Sequence, residues 1–183
     1  YPDPGFPIYK SVIEYSGAKA VPIHLKEENG FAFSAEEVLG NITPATRLII
    51  INSPANPTGG AMPKAELDKL AHGLQAHPDV VVLSDEIYSH MLYDGREHVS
   101  FLQYEAMRDR TIMLDGWSKT YAMTGWRLGF AVWPKSIADT ATRLAINCHS
   151  CVNAPTQFAG IAALEGPHDQ VKTMVEAFDE RRK

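Results

Sequence analysis

The sequence predicts an α/β domain in which a mostly parallel sheet with one antiparallel strand is flanked by helices. Continuous apolar runs at 48–51, 80–83 and 111–114 alternate with amphipathic segments of helix length. Strands buried on both faces of a parallel sheet have this pattern. The connection from Lys119 to Arg127 is too short for a right-handed crossover, so the strand that follows it is predicted to be antiparallel.

The first forty residues are predicted to contain short elements. Residues 8–16 have helical spacing and are followed by Gly17, a residue type that commonly ends helices. Residues 20–25 are predicted to form a short strand. Ser34 and Glu37 have the spacing of a capping box, which predicts the start of a short helix.

Four strands are predicted to form the main sheet. Residues 46–52, 80–84 and 111–114 should pair in parallel, and residues 128–133 should add to them in antiparallel orientation. We expect residues 20–25 to stand apart, either unpaired or paired with residues outside this chain. The resulting exposed sheet edge predicts an isolated chain that dimerises or aggregates.

Amphipathic segments supply the flanking helices. Pro63 suits the first turn of a helix. The apolar residues of that helix form a one-sided stripe, namely Leu67, Leu70, Ala71 and Leu74. Such a stripe is typical of a helix that packs on a sheet. Further helical patterns follow Pro134, begin at Asn153 and begin near Pro167.

The composition is that of an ordinary globular protein. The 183 residues are 45% hydrophobic and 21% charged, with a formal net charge of −5. This balance provides no basic surface for nucleic acid or an anionic membrane. No apolar run has the length of a membrane span, and residues 1–7 lack the basic and apolar regions of a signal peptide. We therefore expect a cytoplasmic protein without nucleic-acid or membrane partners.

Cysteine and histidine residues do not predict a redox or metal site. Cys148 and Cys151 have C-x-x-C spacing, but the pair follows a helix instead of opening one after a strand. His72, His77 and His90 share no ligand spacing and are interpreted as surface residues. No metal site is predicted.

Polar residues follow three consecutive predicted strands. They are Asn56 after the first strand, Asp85 and Tyr88 after the second, and Ser118 and Lys119 after the third. The carboxyl ends of parallel strands meet at one edge of a sheet, where open α/β sheets bind ligands. Lysine at such a position suits Schiff-base chemistry, and the forked guanidinium of Arg127 suits a phosphate.

Each of these residues also has an ordinary structural explanation. Asn56 fits a turn, Asp85 fits a helix cap, and Tyr88 fits a core position. Lys119 fits a solvated loop, and Arg127 fits the edge of a strand. Their joint placement at consecutive strand ends is what predicts a functional site.

Three motifs resemble the class I/II aminotransferases of fold type I, which depend on pyridoxal phosphate. They are Asn-Pro-Thr-Gly at 56–59, Asp-Glu-x-Tyr at 85–88, and Ser-Lys-Thr-Tyr-Ala-Met-Thr-Gly-Trp-Arg-Leu-Gly-Phe at 118–130. Their order and spacing agree with the family over essentially the whole chain. The resemblance implies pyridoxal 5'-phosphate as cofactor, amino acid and 2-oxo acid substrates, and a homodimer.

The resemblance also implies roles for individual residues in catalysis. Lys119 resembles the Schiff-base lysine, which also moves a proton once it is free. Asp85 resembles the carboxylate that keeps the pyridine nitrogen of the cofactor protonated. Tyr88 and Asn56 resemble the pair that hydrogen-bonds the phenolic oxygen of the cofactor.

Three further residues are implied to hold the cofactor without taking part in the reaction. Arg127, together with Ser118, resembles the phosphate-binding pair of the family. Phe6, in the segment Pro-Gly-Phe-Pro at 4–7, matches the aromatic residue that stacks on the pyridine ring.

The resemblance predicts a partial enzyme, because the family's members are about twice this length. Residues 1–166 correspond to part of the large cofactor-binding domain, and residues 167–183 to the start of a helical connection towards a small domain. The family's glycine-rich phosphate loop, its partner-subunit tyrosine and its carboxylate-binding arginine fall outside the chain. In the aspartate-specific branch of the family, an arginine a few residues before an Asn-Pro signature binds the distal carboxylate of the substrate. Residues 146–152 contain no arginine, so a dicarboxylate preference by that route is not predicted. Two alternatives remain, a carbon–sulfur β-lyase of the same fold and a non-catalytic fragment or scaffold.

Overall fold

Six strands and seven α-helices make up the fold in the computed structural model, which describes residues 1–183. The strands are β1 Pro2–Asp3, β2 Ile23–His24, β3 Leu48–Asn52, β4 Val81–Asp85, β5 Thr111–Gly116 and β6 Gly129–Val132. The helices are α1 Ile8–Tyr15, α2 Ala35–Gly40, α3 Lys64–Gly73, α4 Trp117–Thr120, α5 Lys135–His149, α6 Ala154–Glu165 and α7 Asp169–Arg182. Short 3₁₀ helices occupy several of the connections between them.

The main sheet has the predicted strands in the predicted orientations. Its order is β3-β4-β5-β6, with β3, β4 and β5 parallel and β6 antiparallel to β5. The register pairs Asn52 with Asp85 and Asp85 with Leu114. The parallel strands therefore end side by side, and the connections that leave them start from one edge.

The expectation for residues 20–25 is wrong in one respect. β2 stands apart from the main sheet, but it pairs in parallel with β1 of the same chain. Ile23 donates its N–H to the carbonyl oxygen of Tyr1, and Leu25 donates to that of Asp3, both at 2.8 Å. Even a two-residue extended segment offers the backbone acceptors that these donors need.

The two short helices lie where the sequence predicts them, but only the Ser34 half of the predicted capping box forms. Gly17, which follows α1, has a φ of +79°. The side-chain oxygen of Ser34 accepts the Glu37 N–H at 3.2 Å and so caps α2. The Glu37 carboxylate accepts the N–H of His24 at 3.4 Å, and this bond links α2 to β2.

A buried apolar core fixes the strands that lead to the sheet edge. It joins α2 and α3 to β3 and β4. Its large, fully buried members include Leu70, Leu74, Val82, Phe101 and Met107. The stripe predicted for the helix after Pro63 is the face of α3 that this core buries. The core thereby holds β3 and β4 in a defined position.

The last three helices leave apolar side chains uncovered within this chain. α5 and α7 have no buried residue, and Leu144, Phe158 and Leu164 are more than half exposed. α6 is joined to the sheet by Trp117, whose indole N–H donates to the carbonyl oxygen of Gly160 at 3.0 Å. None of the helices is both long and apolar enough to cross a membrane.

Replacement of Gly116 by alanine should destabilise the protein. A Cβ atom at this position would lie 2.8 Å from the Cα of Gly129 and 2.9 Å from the carbonyl oxygen of Leu128, so β5 and β6 would have to move apart. We expect a loss of about 1–3 kcal/mol in the free energy of unfolding, measured by urea denaturation. Gly125→Ala is the control, since a Cβ there meets no atom within 4 Å. Equal stability of the two variants would contradict the prediction.

Candidate active site

One cavity at the carboxyl edge of the sheet contains all the site residues that the sequence predicts. Its volume is about 300 Å³. The predicted residues that line it are Phe6, Asn56, Asp85, Tyr88, Ser118, Lys119 and Arg127. Residues from four separate parts of the chain thus meet in one place.

The strands and their connections explain this convergence. Asn56 lies in the loop that follows β3, and Asp85 is the last residue of β4. Ser118 and Lys119 lie in α4, which continues directly from β5. Because β3, β4 and β5 end side by side, the polar residues that follow them face a common space.

The carboxylate of Asp85 is held by two donors. The hydroxyl of Tyr9 donates to Oδ2 at 2.6 Å, and the N–H of Ile87 donates to Oδ1 at 3.3 Å. Burial raises the pKa of Asp85, and these hydrogen bonds act in the opposite direction. Burial also raises the pKa of Tyr9, with a further contribution from the charge of Asp85, so Tyr9 remains a neutral donor.

Tyr9 is a site residue that the sequence analysis missed. It follows Phe6 by three residues, lies in the first turn of α1, and donates its backbone N–H to the carbonyl oxygen of Phe6 at 3.1 Å. Their rings meet edge to face, with centroids 5.8 Å apart. Tyr9 is buried, whereas Phe6 is 44% exposed. The i, i+3 spacing was the available signal, but only the fold shows that Tyr9 contacts Asp85.

Asn52 is a second residue that the sequence analysis missed. It is 4% exposed at the end of β3. Its side-chain N–H donates to the carbonyl oxygen of Asp85 at 3.1 Å, and its side-chain oxygen accepts the N–H of Asn56 at 2.9 Å. Asn52 therefore ties the loop that carries Asn56 to the end of β4. A polar residue that closes an apolar strand was the signal for it.

Three polar side chains converge inside the cavity. The side-chain amide of Asn56 donates to the hydroxyl of Tyr88 at 3.4 Å. The ammonium nitrogen of Lys119 lies 5.5 Å from the centroid of the Tyr88 ring, within the range of a cation–π contact. Two hydrogen-bonding groups and an amine therefore face the same small space.

Arg127 reaches the cavity from the segment that precedes β6. Its backbone is left-handed, with a φ of +56°, and its guanidinium donates to the carbonyl oxygen of Thr124 at 2.9 Å. The hydroxyl of Thr124 donates in turn to the carbonyl oxygen of Ser118 at 2.8 Å. These bonds orient the exposed guanidinium and leave its other donors available for an anion.

Comparison with known proteins identifies the family. A sequence model of the class I and II aminotransferases matches residues 1–183. The chain belongs to this family. It is 41% identical over 180 residues to an arginine–pyruvate transaminase of Pseudomonas aeruginosa, and this match covers 98% of the chain and 45% of the relative. It is 37% identical over 182 residues to an aspartate aminotransferase of Rhizobium meliloti, covering 99% of the chain and 44% of the relative.

Solved structures of aminotransferases share the fold. The aspartate aminotransferase of Rhizobium meliloti superposes with a TM-score of 0.93 at 36% identity, covering 98% of this chain and 45% of the other. The aromatic aminotransferase of Pyrococcus horikoshii superposes with a TM-score of 0.94 at 37% identity, covering 99% of this chain and 49% of the other. The chain thus spans less than half the length of the relatives it matches.

The residues of the cavity fit the cofactor on which this aminotransferase family depends. Pyridoxal phosphate combines a basic ring nitrogen, a phenolic oxygen, an aldehyde and a phosphate. The carboxylate in the cavity suits the ring nitrogen, and the hydrogen-bonding side chains suit the phenolic oxygen. The amine suits the aldehyde, and the guanidinium suits the phosphate. Its volume of about 300 Å³ is at the lower end of the range for small-molecule sites.

The cysteines and the three histidines named above do not line this cavity. Cys148 and Cys151 are free and exposed. His72 and His90 are exposed, as predicted, whereas His77, which lies between α3 and β4, is half-buried. These cysteines and histidines are therefore separate from the predicted site residues at the carboxyl edge of the sheet.

Replacement of Asp85 by asparagine should stabilise the protein in the absence of cofactor at neutral pH. The folded-state pKa of Asp85 is raised above its unfolded value by burial, so its stabilising contribution is present below the unfolded pKa. That contribution is lost as the pH rises through the raised pKa, and the buried charge then destabilises the fold. Asparagine keeps an acceptor for Tyr9 and removes the charge.

Thermal denaturation between about pH 4 and pH 8 tests whether Asp85→Asn stabilises the protein. This range begins near the unperturbed aspartate pKa of about 3.9 and extends above it. The gain from Asp85→Asn should grow as the pH rises. Asp68→Asn is the control, because Asp68 is exposed, accepts hydrogen bonds from Lys64 and Tyr104, and has a lowered pKa. That variant should show no gain at neutral pH. A loss of stability for Asp85→Asn at pH 7.5 would contradict the prediction.

Proposed function

We propose that this chain is the cofactor-binding part of an aminotransferase that moves an amino group between an amino acid and a 2-oxo acid. The observation that carries the proposal is the convergence of a lysine, a carboxylate, an arginine and aromatic side chains on one cavity. Membership of the aminotransferase family supports it. When bound, pyridoxal phosphate supplies an electron sink for the bond broken at Cα of the substrate.

Lys119 is the proposed covalent attachment point and proton carrier. Its amine is half-buried in the cavity beside the ring of Tyr88. An amine in this position can bind an aldehyde as a Schiff base. Once displaced by a substrate amine, the same nitrogen could take a proton from Cα of the substrate and deliver it to the cofactor carbon on the other side of the substrate nitrogen.

Asp85 is proposed to hold a proton on the ring nitrogen of the cofactor. A buried carboxylate without a cationic partner is unfavourable, and a pyridinium N–H would provide that partner. Tyr9 fixes the carboxylate through its 2.6 Å hydrogen bond. Tyr9 is therefore a positioning residue, because it acts on the cofactor through Asp85.

Tyr88 and Asn56 are proposed to donate hydrogen bonds to the phenolic oxygen of the cofactor. Their side chains already approach each other at 3.4 Å in the cavity. Donors at this oxygen would stabilise its anionic form when the cofactor is bound.

Arg127, Ser118 and Phe6 are proposed to fix the cofactor in place. The guanidinium of Arg127 and the hydroxyl of Ser118 suit a phosphate group. The exposed ring of Phe6 suits contact with the face of an aromatic ring. None of these three side chains needs to change its protonation state.

The domain assignment and the partner assignment are part of the same proposal. Residues 1–166 would belong to the large cofactor-binding domain, and residues 167–183 would begin the connection towards a small domain. The exposed apolar side chains of α5 and α6 support association into a homodimer.

The relatives named above act on chemically different amino acids, so the proposal extends to the substrate class only. A cytoplasmic location stays a prediction.

Reduction with borohydride should attach a pyridoxyl group to Lys119. The experiment uses the protein that carries this chain, loaded with pyridoxal phosphate and analysed by peptide mapping. Lys119→Ala should abolish the label and lower turnover by about 10²–10⁴-fold or more. Lys64→Ala, on the exposed side of α3, is the control and should keep both the pyridoxyl label on Lys119 and the wild-type turnover. A label on any other lysine would refute the assignment.

Product analysis should show transamination. We expect a 2-oxo acid to be formed from the amino acid donor, with stoichiometric amination of the acceptor and no release of ammonia. The carbon–sulfur β-lyase alternative predicts pyruvate and ammonia from cystathionine. Absence of both reactions, in a protein that forms the Lys119 adduct, would favour the non-catalytic alternative.

A further inference from the structure

The carboxylate of Glu86 is buried beside the cavity and does not line it. The residue is 4% exposed, and four donors surround its carboxylate. Oε1 accepts hydrogen bonds from the hydroxyls of Ser84 and Ser100 and from the N–H of Phe101, each at 3.0 Å. Oε2 lies 2.8 Å from Nε2 of His98. Both oxygens of a buried carboxylate are thus satisfied by protein groups.

These donors lie at both ends of one loop. Residues 87–97, called here the β4 loop, contain no helix or strand. Ser84 and Glu86 precede the loop, whereas His98, Ser100 and Phe101 follow it. The Glu86 carboxylate therefore joins the two ends of the β4 loop through hydrogen bonds.

The β4 loop carries Tyr88, whose hydroxyl has only a long contact to Asn56, at 3.4 Å. A bond of this length holds the side chain weakly. The backbone at Tyr88 is held more firmly, because the N–H of Ser89 donates to the carbonyl oxygen of Glu86 and the N–H of Met91 donates to that of Tyr88, both at 2.8 Å. The position of the Tyr88 ring therefore depends on the turn that starts at Glu86.

The surroundings keep Glu86 charged. Burial raises its pKa, but the hydrogen bonds from His98, Phe101 and Ser100 outweigh that effect, and the net pKa is lowered. A carboxylate has enough lone pairs to accept from all four donors at once. A glutamine in its place would turn an N–H₂ group towards Nε2 of His98, so His98 would have to accept this hydrogen bond instead of donating it.

We propose that Glu86 is a positioning residue that pins both ends of the β4 loop and thereby holds the ring of Tyr88 beside Lys119. The role rests on the proposed function, since Tyr88 matters for catalysis only if the cavity binds the cofactor. The pinning of the loop itself does not depend on the cofactor. Both parts are tested without it, so failure of this inference and failure of the proposed function are distinguishable.

Hydrogen–deuterium exchange tests the pinning of the loop. Glu86→Ala removes the shared acceptor, so exchange in peptides covering 87–101 should become at least about tenfold faster. Glu86→Gln retains one oxygen for the Oε1 donors and should restore much of the protection. Glu66→Ala is the matched control, because Glu66 also accepts a backbone N–H, that of Ala35 at 2.9 Å, far from this loop in the sequence. Unchanged exchange in Glu86→Ala would overturn the inference.

Nuclear magnetic resonance tests the position of the Tyr88 ring. Reductive methylation of lysines with ¹³C labels Lys119, whose nitrogen lies 5.5 Å from the ring centroid and should therefore show a ring-current shift. Tyr88→Leu defines the signal without the ring, and Lys119→Arg assigns it. Glu86→Ala should move the signal towards the Tyr88→Leu value, and Glu86→Gln should move it less.

The remaining outcomes decide whether Glu86 positions Tyr88 or only stabilises the β4 loop. A Glu86→Ala variant that exchanges faster but keeps the wild-type Lys119 signal would show that Glu86 stabilises the loop without positioning Tyr88, and would refute the proposal. If Glu86→Ala does not fold, His98→Ala replaces it, since this variant removes one contact from the far end of the loop. The same two measurements then apply with the same expected directions.

Discussion

The parallel register of β3, β4 and β5 is the constraint on which the site depends. It sets Asn52 beside Asp85 and Asp85 beside Leu114, so that the connections after β3 and β4 leave the sheet at one level, and β5 continues past that level to Gly116. A shift of one residue in any of these strands would turn its side chains to the opposite face. Asn52 reinforces the register, because its side chain bonds to both the β4 backbone and the loop of Asn56.

Two adjacent carboxylates at the end of β4 show how the surroundings assign different properties to similar groups. Asp85 faces the cavity, whereas Glu86 faces the interior, in keeping with the alternation of side chains along an extended chain. Glu86 has four donors and a lowered pKa, while Asp85 has two donors and a raised pKa. The interior carboxylate is satisfied by the protein, and the one in the cavity retains capacity for a cationic ligand.

The site and its supports are contained in less than half the length of the related enzymes. The buried core holds β3 and β4, and the hydrogen bonds of Tyr9, Asn52 and Glu86 fix the groups at the edge of the sheet. The apolar faces of α5 and α6 have no comparable support within the chain. The interactions within the chain therefore organise the sheet edge more completely than its last three helices.

The amino-acid sequence by itself determined the four strands of the main sheet, their orientation and most of the functional side chains that meet at the sheet edge. Apolar runs that end in polar residues mark buried strands, and the short link from Lys119 to Arg127 admits only an antiparallel partner. These features are local, so they can be recognised in the sequence without knowledge of the fold.

Only the tertiary structure decided which groups support those residues. Tyr9 bonds to Asp85 across 76 positions, and Asn52 bonds to Asp85 across 33. Tertiary structure also decides that β2 pairs with β1 and that Glu86 accepts hydrogen bonds from residues beyond the β4 loop. Tyrosine, asparagine and glutamate occur in many surroundings, and their hydrogen-bond partners are set by the packing that brings distant segments together.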